Sequence, residues 1–100
     1  MVKRHVVVVA RQPNSNWARV VMGTIEALDG DKVTLSDARQ ALYYSKDSGG
    51  EFGLASTGPG SESRITSIVS TAYIYGVGLI LDCSKTALKA WMEAPAYVGK

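Results

Sequence analysis

Apolar residues occur in short runs separated by turn-forming residues, which is typical of a β-rich chain. Val6–Ala10 is an unbroken apolar run that predicts a strand covered on both faces. Val20–Leu28 and Lys32–Leu35 are β-rich runs on either side of an Asp-Gly pair, Asp29 and Gly30. Because glycine accepts positive φ, this pair predicts a tight two-residue hairpin turn.

The two arms of this hairpin carry signs of bending. Gly23, in the middle of the first arm, predicts a bend, a bulge or a close backbone approach. Ser36-Asp37 interrupts the second arm, so residues 32–35 and 38–44 form two strands or one sharply bent strand. A bent strand is what a small, tightly coiled barrel needs.

The second half of the chain predicts a loop, short strands and a helix. Ser45–Gly60 is rich in glycine and proline, and we expect a loop with one short helix that buries Phe52, Leu54 and Ala55. Three short apolar runs then predict strands: Ile65–Val69, Thr71–Tyr75 and Val77–Leu81.

The C-terminal part predicts one helix. Ser84 is a suitable N-cap for a helix over Lys85–Glu93, and Pro95 ends it. We expect its apolar face to pack in the core or at an oligomer interface, and the last five residues to form a frayed tail. The face consists of Leu88, Trp91 and Met92, and the tail is Ala96–Lys100.

Together these elements predict an α+β fold. It is a small, strongly bent antiparallel β-sheet or barrel with one C-terminal helix and a possible short helix near residues 50–57. The length of 100 residues and the 46% hydrophobic content predict a single β-rich domain over residues 1–100. Since a domain of this size buries a modest core, we expect a homo-oligomer that covers strand edges.

The chain shows no sign of secretion or membrane insertion. No apolar run approaches the roughly 20 residues of a membrane span, and no signal peptide is visible. Cys83 is the only cysteine, so no disulfide can form within the chain. These features predict a cytoplasmic protein without a membrane partner.

The basic residues are unevenly distributed. The net charge is only +2, but the first twenty residues contain four basic and no acidic side chains, namely Lys3, Arg4, Arg11 and Arg19. This edge is either a solvated strand that resists aggregation or a patch that attracts phosphate.

The residues offer little for catalysis or metal binding. One His and one Cys cannot form a usual zinc site, and Asp29 and Asp31 belong to a turn, so we expect no metal or cofactor. A nucleophilic pair of Cys83 and His5 is possible, but a buried structural thiol is favoured. Neither glycine-rich segment matches a phosphate-loop fingerprint. The chain is therefore predicted not to be an enzyme.

Six residues form the candidate ligand-binding set: Arg11, Trp17, Arg19, Arg39, Tyr43 and Tyr44. Guanidinium groups clamp phosphate through paired hydrogen bonds, and aromatic rings stack on bases. Arg39 lies within an apolar strand run, where a charge is costly unless it is paired or exposed. The alternative is that Arg39 pairs with Asp37 or another carboxylate and that the tyrosines cap the core.

Several short motifs resemble a domain family of unknown function found in small proteins of tailed phages and prophages. They are Arg11, Gly23-Thr24-Ile25, Val33-Thr34-Leu35, Asp37-Ala38-Arg39, Tyr43-Tyr44, Leu54-Ala55 and Cys83-Ser84. The chain departs from this pattern at Gln40 and Tyr44 and in a longer loop at Gly58-Pro59-Gly60. Separately, the hairpin resembles that of Sm-like and SH3-like small barrels, a likeness that concerns fold only.

The resemblance implies a phage protein acting in the host bacterial cytoplasm. The leading hypothesis is counter-defence, in which the protein sequesters a phosphate-bearing (cyclic) nucleotide immune signal in a pocket at a subunit interface. One alternative is an interaction protein that inhibits a host or defence protein, as anti-CRISPR-like proteins do. The other is a nucleic-acid-binding small barrel that uses the basic N-terminal edge.

Overall fold

A computed structural model describes residues 4–11, 18–43, 50–60 and 63–97. In chain order, the elements are β1 (His5–Arg11), β2 (Ala18–Asp29), β3 (Lys32–Tyr43), α1 (Gly50–Ser56), β4 (Arg64–Ile65), β5 (Val69–Ile74), β6 (Val77–Asp82) and α2 (Lys85–Glu93). The strands form one sheet in the order β4-β3-β2-β1-β6, with β5 also paired to β3. All five strand pairings are antiparallel, which confirms the α+β prediction.

The β2–β3 hairpin has the predicted two-residue turn, one residue further along the chain than the predicted Asp29-Gly30 pair. Asp29 pairs with Lys32, so the two loop residues are Gly30 and Asp31. Gly30 has a φ of 61°, whereas Asp31 does not have a positive φ. Positive φ at the first loop residue alone is the pattern of a type II′ turn, which matches the right-handed twist of the strands.

Both arms of the hairpin bend where the sequence predicts it. A Cβ on Gly23 would lie 3.0 Å from Leu35 Cβ, so glycine allows the two strands to approach closely here. The β2–β3 register shifts beside Gly23, and Asp37 in β3 has a φ of 50°. Aspartate tolerates this left-handed conformation better than most residues. The second arm is therefore one bent strand with a bulge.

The sheet curls without closing into a barrel. Tyr75 and Gly76 carry the chain directly from β5, next to β3, to β6, next to β1. The Val77 backbone N–H donates to Asp31 O over 3.0 Å, which holds the hairpin turn against this corner. β5 and β6 do not pair with each other within the described residues, so of the two predicted forms the bent open sheet is observed.

The core has two layers, one on each face of β1. Val7 and Val9 pack under the helices with Met22 and Trp91. Alternate residues, from Val6 to Ala10, face the inside of the curl. All of Val6–Ala10 is buried, as the unbroken apolar run predicts.

Helix α2 has the predicted bounds and cap. The Ser84 hydroxyl accepts from the Ala87 backbone N–H over 3.0 Å and donates to Ser56 O over 2.6 Å, so one side chain joins both helices. Trp91 is buried and Leu88 packs against the core, but Met92 is exposed.

Two predictions in this region are wrong. The Tyr97 backbone N–H donates to Ile65 O over 2.8 Å, and Ala96 bridges Ile65, so this part of the predicted frayed tail is attached to β4. In α1, Leu54 and Ala55 are buried, but Phe52 is 68% exposed. Because Leu54 and Ala55 already face the core, Phe52 lies on the opposite side of this short helix.

No helix in the described ranges is long and apolar enough to cross a membrane.

Candidate ligand-binding groove

An open groove lies at the corner between β5 and β6, and we call it the mouth groove. It has two lobes, which share Arg19, Tyr73 and Ile74. The kink lobe, of about 470 Å³, also contains Arg11, Asp31 and Tyr75. The core lobe, of about 330 Å³, opens onto the inside of the curled sheet. Both volumes fall within the range of small-molecule sites.

Arg11 and Arg19 are the two exposed arginines among the residues that border the mouth groove, which the buried Arg39 also borders. Arg11 ends β1 and pairs with Ala18, while Arg19 pairs with Ala10, so the two arginines lie on neighbouring strands. Both are exposed, and within the described residues neither side chain makes a hydrogen bond or ion pair. The structure therefore places both exposed arginines at the border of one groove, with Arg19 on the inner face of the sheet beside Ala10 and Arg11 on the next position of β1, which alternates to the other face.

Two tyrosines absent from the predicted set border the same groove. Tyr73 is 61% exposed, and Tyr75 is also exposed. The Lys32 ammonium lies 5.7 Å from the Tyr73 ring centroid and 5.9 Å from that of Tyr75, which adds a third cation beside these rings. The predicted strand Thr71–Tyr75 contains both tyrosines two residues apart, which would place them on one face, although β5 ends at Ile74 in the structure.

The core lobe has an apolar floor and a polar rim. Val21, Ala38 and Ile74 are buried residues of the inner core layer. Gln40 and Thr66 border the same lobe, and the Gln40 backbone N–H donates to Thr66 Oγ1 over 2.9 Å. Such a combination suits a flat, partly apolar group with polar edges.

Arg39 is buried and bonded inside the protein. It is 4% exposed, and burial lowers the pKa of its guanidinium group. Its Nε donates to Thr66 O over 2.8 Å, and its Nη1 donates to Trp91 O over 2.6 Å. These acceptors are backbone carbonyls, and Asp37 is exposed, so the predicted carboxylate pairing is not what the described residues show. Arg39 borders the core lobe, but its bonds indicate a packing role.

The remaining members of the predicted set lie elsewhere. Tyr43 is away from the mouth groove, beside Arg64, whose Cζ is 5.9 Å from the Tyr43 ring centroid and 5.1 Å from that of Tyr97. Trp17 and Tyr44 fall outside the described residues. The contribution of these three side chains to ligand binding stays a prediction.

Cys83 and His5 are neighbours, which the sequence could not indicate. The Cys83 backbone N–H donates to His5 O over 2.8 Å, while His5 Nδ1 forms a 3.0 Å hydrogen bond with Thr24 Oγ1. Burial, with a smaller contribution from the negative charge of Asp82, raises the pKa of the Cys83 thiol to about 11. The thiol is therefore protonated at neutral pH and is a weak nucleophile.

The basic N-terminal edge is divided between the two ends of β1. Arg4 precedes the strand and forms an ion pair with Asp82, at 2.8 Å between Nη2 and Oδ1. Arg11 lies at the far end, roughly 20 Å away along an extended strand. In the portion of the chain that is described, no three His, Cys, Asp or Glu residues cluster as metal ligands would.

The sequence matches the family described as Domain of unknown function (DUF6948) over residues 3–91, and the chain belongs to this family. No curated protein and no solved structure matches it. The resemblance to a domain family of unknown function is thus confirmed, whereas the phage setting and the likeness to Sm-like and SH3-like barrels stay predictions.

Proposed function

We propose that this member of the DUF6948 family is a non-enzymatic binding protein that captures a phosphate-bearing nucleotide in the mouth groove. One observation carries the proposal: Arg11 and Arg19 border a groove that the exposed Tyr73 and Tyr75 also line, and neither arginine side chain has a partner among the described residues. Guanidinium groups bind phosphate oxygens through paired hydrogen bonds, and tyrosine rings stack on bases.

The position of Arg19 suggests how a nucleotide would lie. Arg19 borders both lobes, so a phosphate bound there leaves the sugar and base to occupy an adjoining lobe. The apolar floor of the core lobe would contact the base, and Gln40 would offer an amide to its edge. Asp31, the carboxylate of the kink lobe, would repel phosphate, whereas the arginines would attract it.

Capture without turnover fits the chemistry of the groove. The described groove residues include no histidine or cysteine, and Asp31 is the one carboxylate among them. The Cys83 thiol belongs to a separate surface beside Phe52 and Ser84. Retaining a nucleotide requires affinity alone, which cations, rings and an apolar floor provide.

The biological role in this proposal is counter-defence. By binding a (cyclic) nucleotide signal of host immunity, the protein would lower the free concentration of that signal in the host bacterial cytoplasm. This part rests on the resemblance to small phage proteins. Removing a signal by stoichiometric binding would require no reaction, which fits a groove that offers binding groups.

The binding proposal is tested by titration calorimetry with cyclic AMP, cyclic di-AMP and ADP-ribose as probes. We expect at least one probe to bind, and Arg19→Ala to weaken its binding at least about tenfold, since a charged hydrogen bond contributes about 1.5–3 kcal/mol. Arg64→Ala is the matched control, because Arg64 is an exposed arginine away from the groove, and it should bind like the wild type. Binding that is indifferent to Arg19→Ala would contradict the assignment of the site.

Nucleic-acid binding is the weaker alternative, because the basic edge is split and Arg4 is already paired with Asp82. It would show as affinity for DNA or RNA that falls steeply with salt concentration. Inhibition of a host or defence protein would instead show as a stable co-purifying partner.

A further inference from the structure

Strand β5 has one unprotected edge. It pairs with β3 on one side, and no described strand pairs with its other side. Its sequence, Val69–Ile74, contains no charged residue, proline or glycine. Exposed edge strands are usually protected by charges, prolines or bulges, because unpaired backbone groups recruit other strands. The β5 edge lacks these protections.

The other ends of the sheet differ from β5. β6 contains Gly78 and ends at Asp82, which is ion-paired with Arg4. β4 has only two residues, and Ala96 bridges Ile65 in that strand. Among the described strands, β5 is therefore the one with a long, uncharged and open edge.

We propose that β5 pairs antiparallel with β5 of a second copy, so that the sheet continues across a homodimer. Side chains alternate along the strand: Val69, Thr71 and Tyr73 are exposed, whereas Ala72 and Ile74 face the inner core layer. The core faces of the two copies lie on the same side of the joined sheet only if the two-fold axis passes through a residue position, so that this residue lies opposite its own copy. Thr71 is near the middle of the strand, and we place the axis there.

An axis at Thr71 makes the strand complementary to itself. Val69 lies opposite Tyr73 of the second copy, and Thr71 lies opposite Thr71. Pairs between β-branched and aromatic residues, and between threonines, are favourable across antiparallel strands. The pairing covers apolar side chains that are 49% exposed at Val69 and 61% exposed at Tyr73. With no charge in the strand, no like-charged residues face each other.

These features select a second copy as the partner. An acidic or basic peptide would find no opposite charge on β5 itself, whereas a second β5 supplies the matching backbone edge and both members of each side-chain pair. The pairing goes beyond the proposed function, because it uses the β5 backbone and does not depend on Arg11 or Arg19, and it places Tyr73, which borders the mouth groove, at the dimer interface.

The test is the molar mass in solution, measured by light scattering and sedimentation. Wild-type protein is expected to be a dimer, and Thr71→Lys a monomer, because two lysines would meet at the axis. Thr86→Lys is the matched control, since Thr86 is an exposed threonine on α2, and it should remain a dimer. A monomeric wild type, or a Thr71→Lys variant that is still dimeric, would overturn the proposal.

A cross-linking experiment covers the case in which Thr71→Lys does not fold. In a Cys83→Ser background, Thr71→Cys should form a disulfide between two copies, because directly opposite Cα atoms of antiparallel strands lie about 4.5–5.5 Å apart, within the range of about 4.4–6.8 Å that a disulfide spans. Thr86→Cys in the same background should not. Absence of the Thr71→Cys disulfide under oxidising conditions would contradict the axis. Failure of nucleotide binding would leave both results unchanged.

Discussion

At the scale of single residues, Arg39 connects the sheet to the end of α2. Its guanidinium group donates to Thr66 O before β5 and to Trp91 O in the last turn of α2. A cation is favourable near the C-terminal carbonyls of a helix, and burial strengthens the interaction. The sequence predicted that the buried charge of Arg39 needs a partner. It could not indicate which one, because every residue has a backbone carbonyl and the two acceptors are distant in the chain.

Arg39→Met is therefore expected to lower stability by about 2–4 kcal/mol, because it leaves buried carbonyls without donors. In thermal unfolding this corresponds to a fall in Tm of at least about 10 °C for a domain of this size. Arg64→Met, at an exposed position, should cost less than about 1 kcal/mol. Equal effects of the two substitutions would show that the Arg39 bonds do not stabilise the fold.

At the scale of elements, predictions based on local turn and cap residues were confirmed, whereas a prediction about side-chain packing was wrong. The β2–β3 turn and the start of α2 are determined by Gly30 and Ser84, whose effects act over a few residues. The predicted orientation of Phe52 in α1 was wrong, because a helix of seven residues has too few positions to identify its buried face from the sequence. Tyr73 and Tyr75 come to lie beside Arg19 because the chain turns at Gly76. This proximity is tertiary, and the residues next to each tyrosine in the sequence do not indicate it.

Gly58, two residues after the end of α1, packs against Ala90 of α2, and it provides a test of that contact. Its φ is 89°, and a Cβ there would lie 2.5 Å from Ala90 Cβ. Gly58→Ala is expected to destabilise the protein by about 2–4 kcal/mol, through left-handed strain and overpacking. Gly78→Ala is the control, because a Cβ at that position meets nothing within 4 Å. Urea unfolding midpoints compare the two, and a neutral Gly58→Ala would show that the helix contact is adaptable.

At the scale of the whole molecule, the curl of the sheet explains why binding residues from distant segments meet. Bends in β2 and β3 bring the hairpin turn to the corner after β5, and the groove opens where the curled sheet fails to close. The sequence predicted the bends and both buried faces of β1. It could not predict that Arg11 and Arg19 would share a groove while Arg4 paired with Asp82.

Recovery of the bound molecule tests the central claim most directly. The protein is purified from phage-infected bacteria that produce nucleotide immune signals, denatured, and the released small molecules are identified by mass spectrometry. We predict an intact nucleotide in amounts comparable to the protein, and its loss from Arg19→Ala but not from Arg64→Ala. Wild-type protein that releases no nucleotide, although the same lysate contains the signal, would contradict capture in the mouth groove.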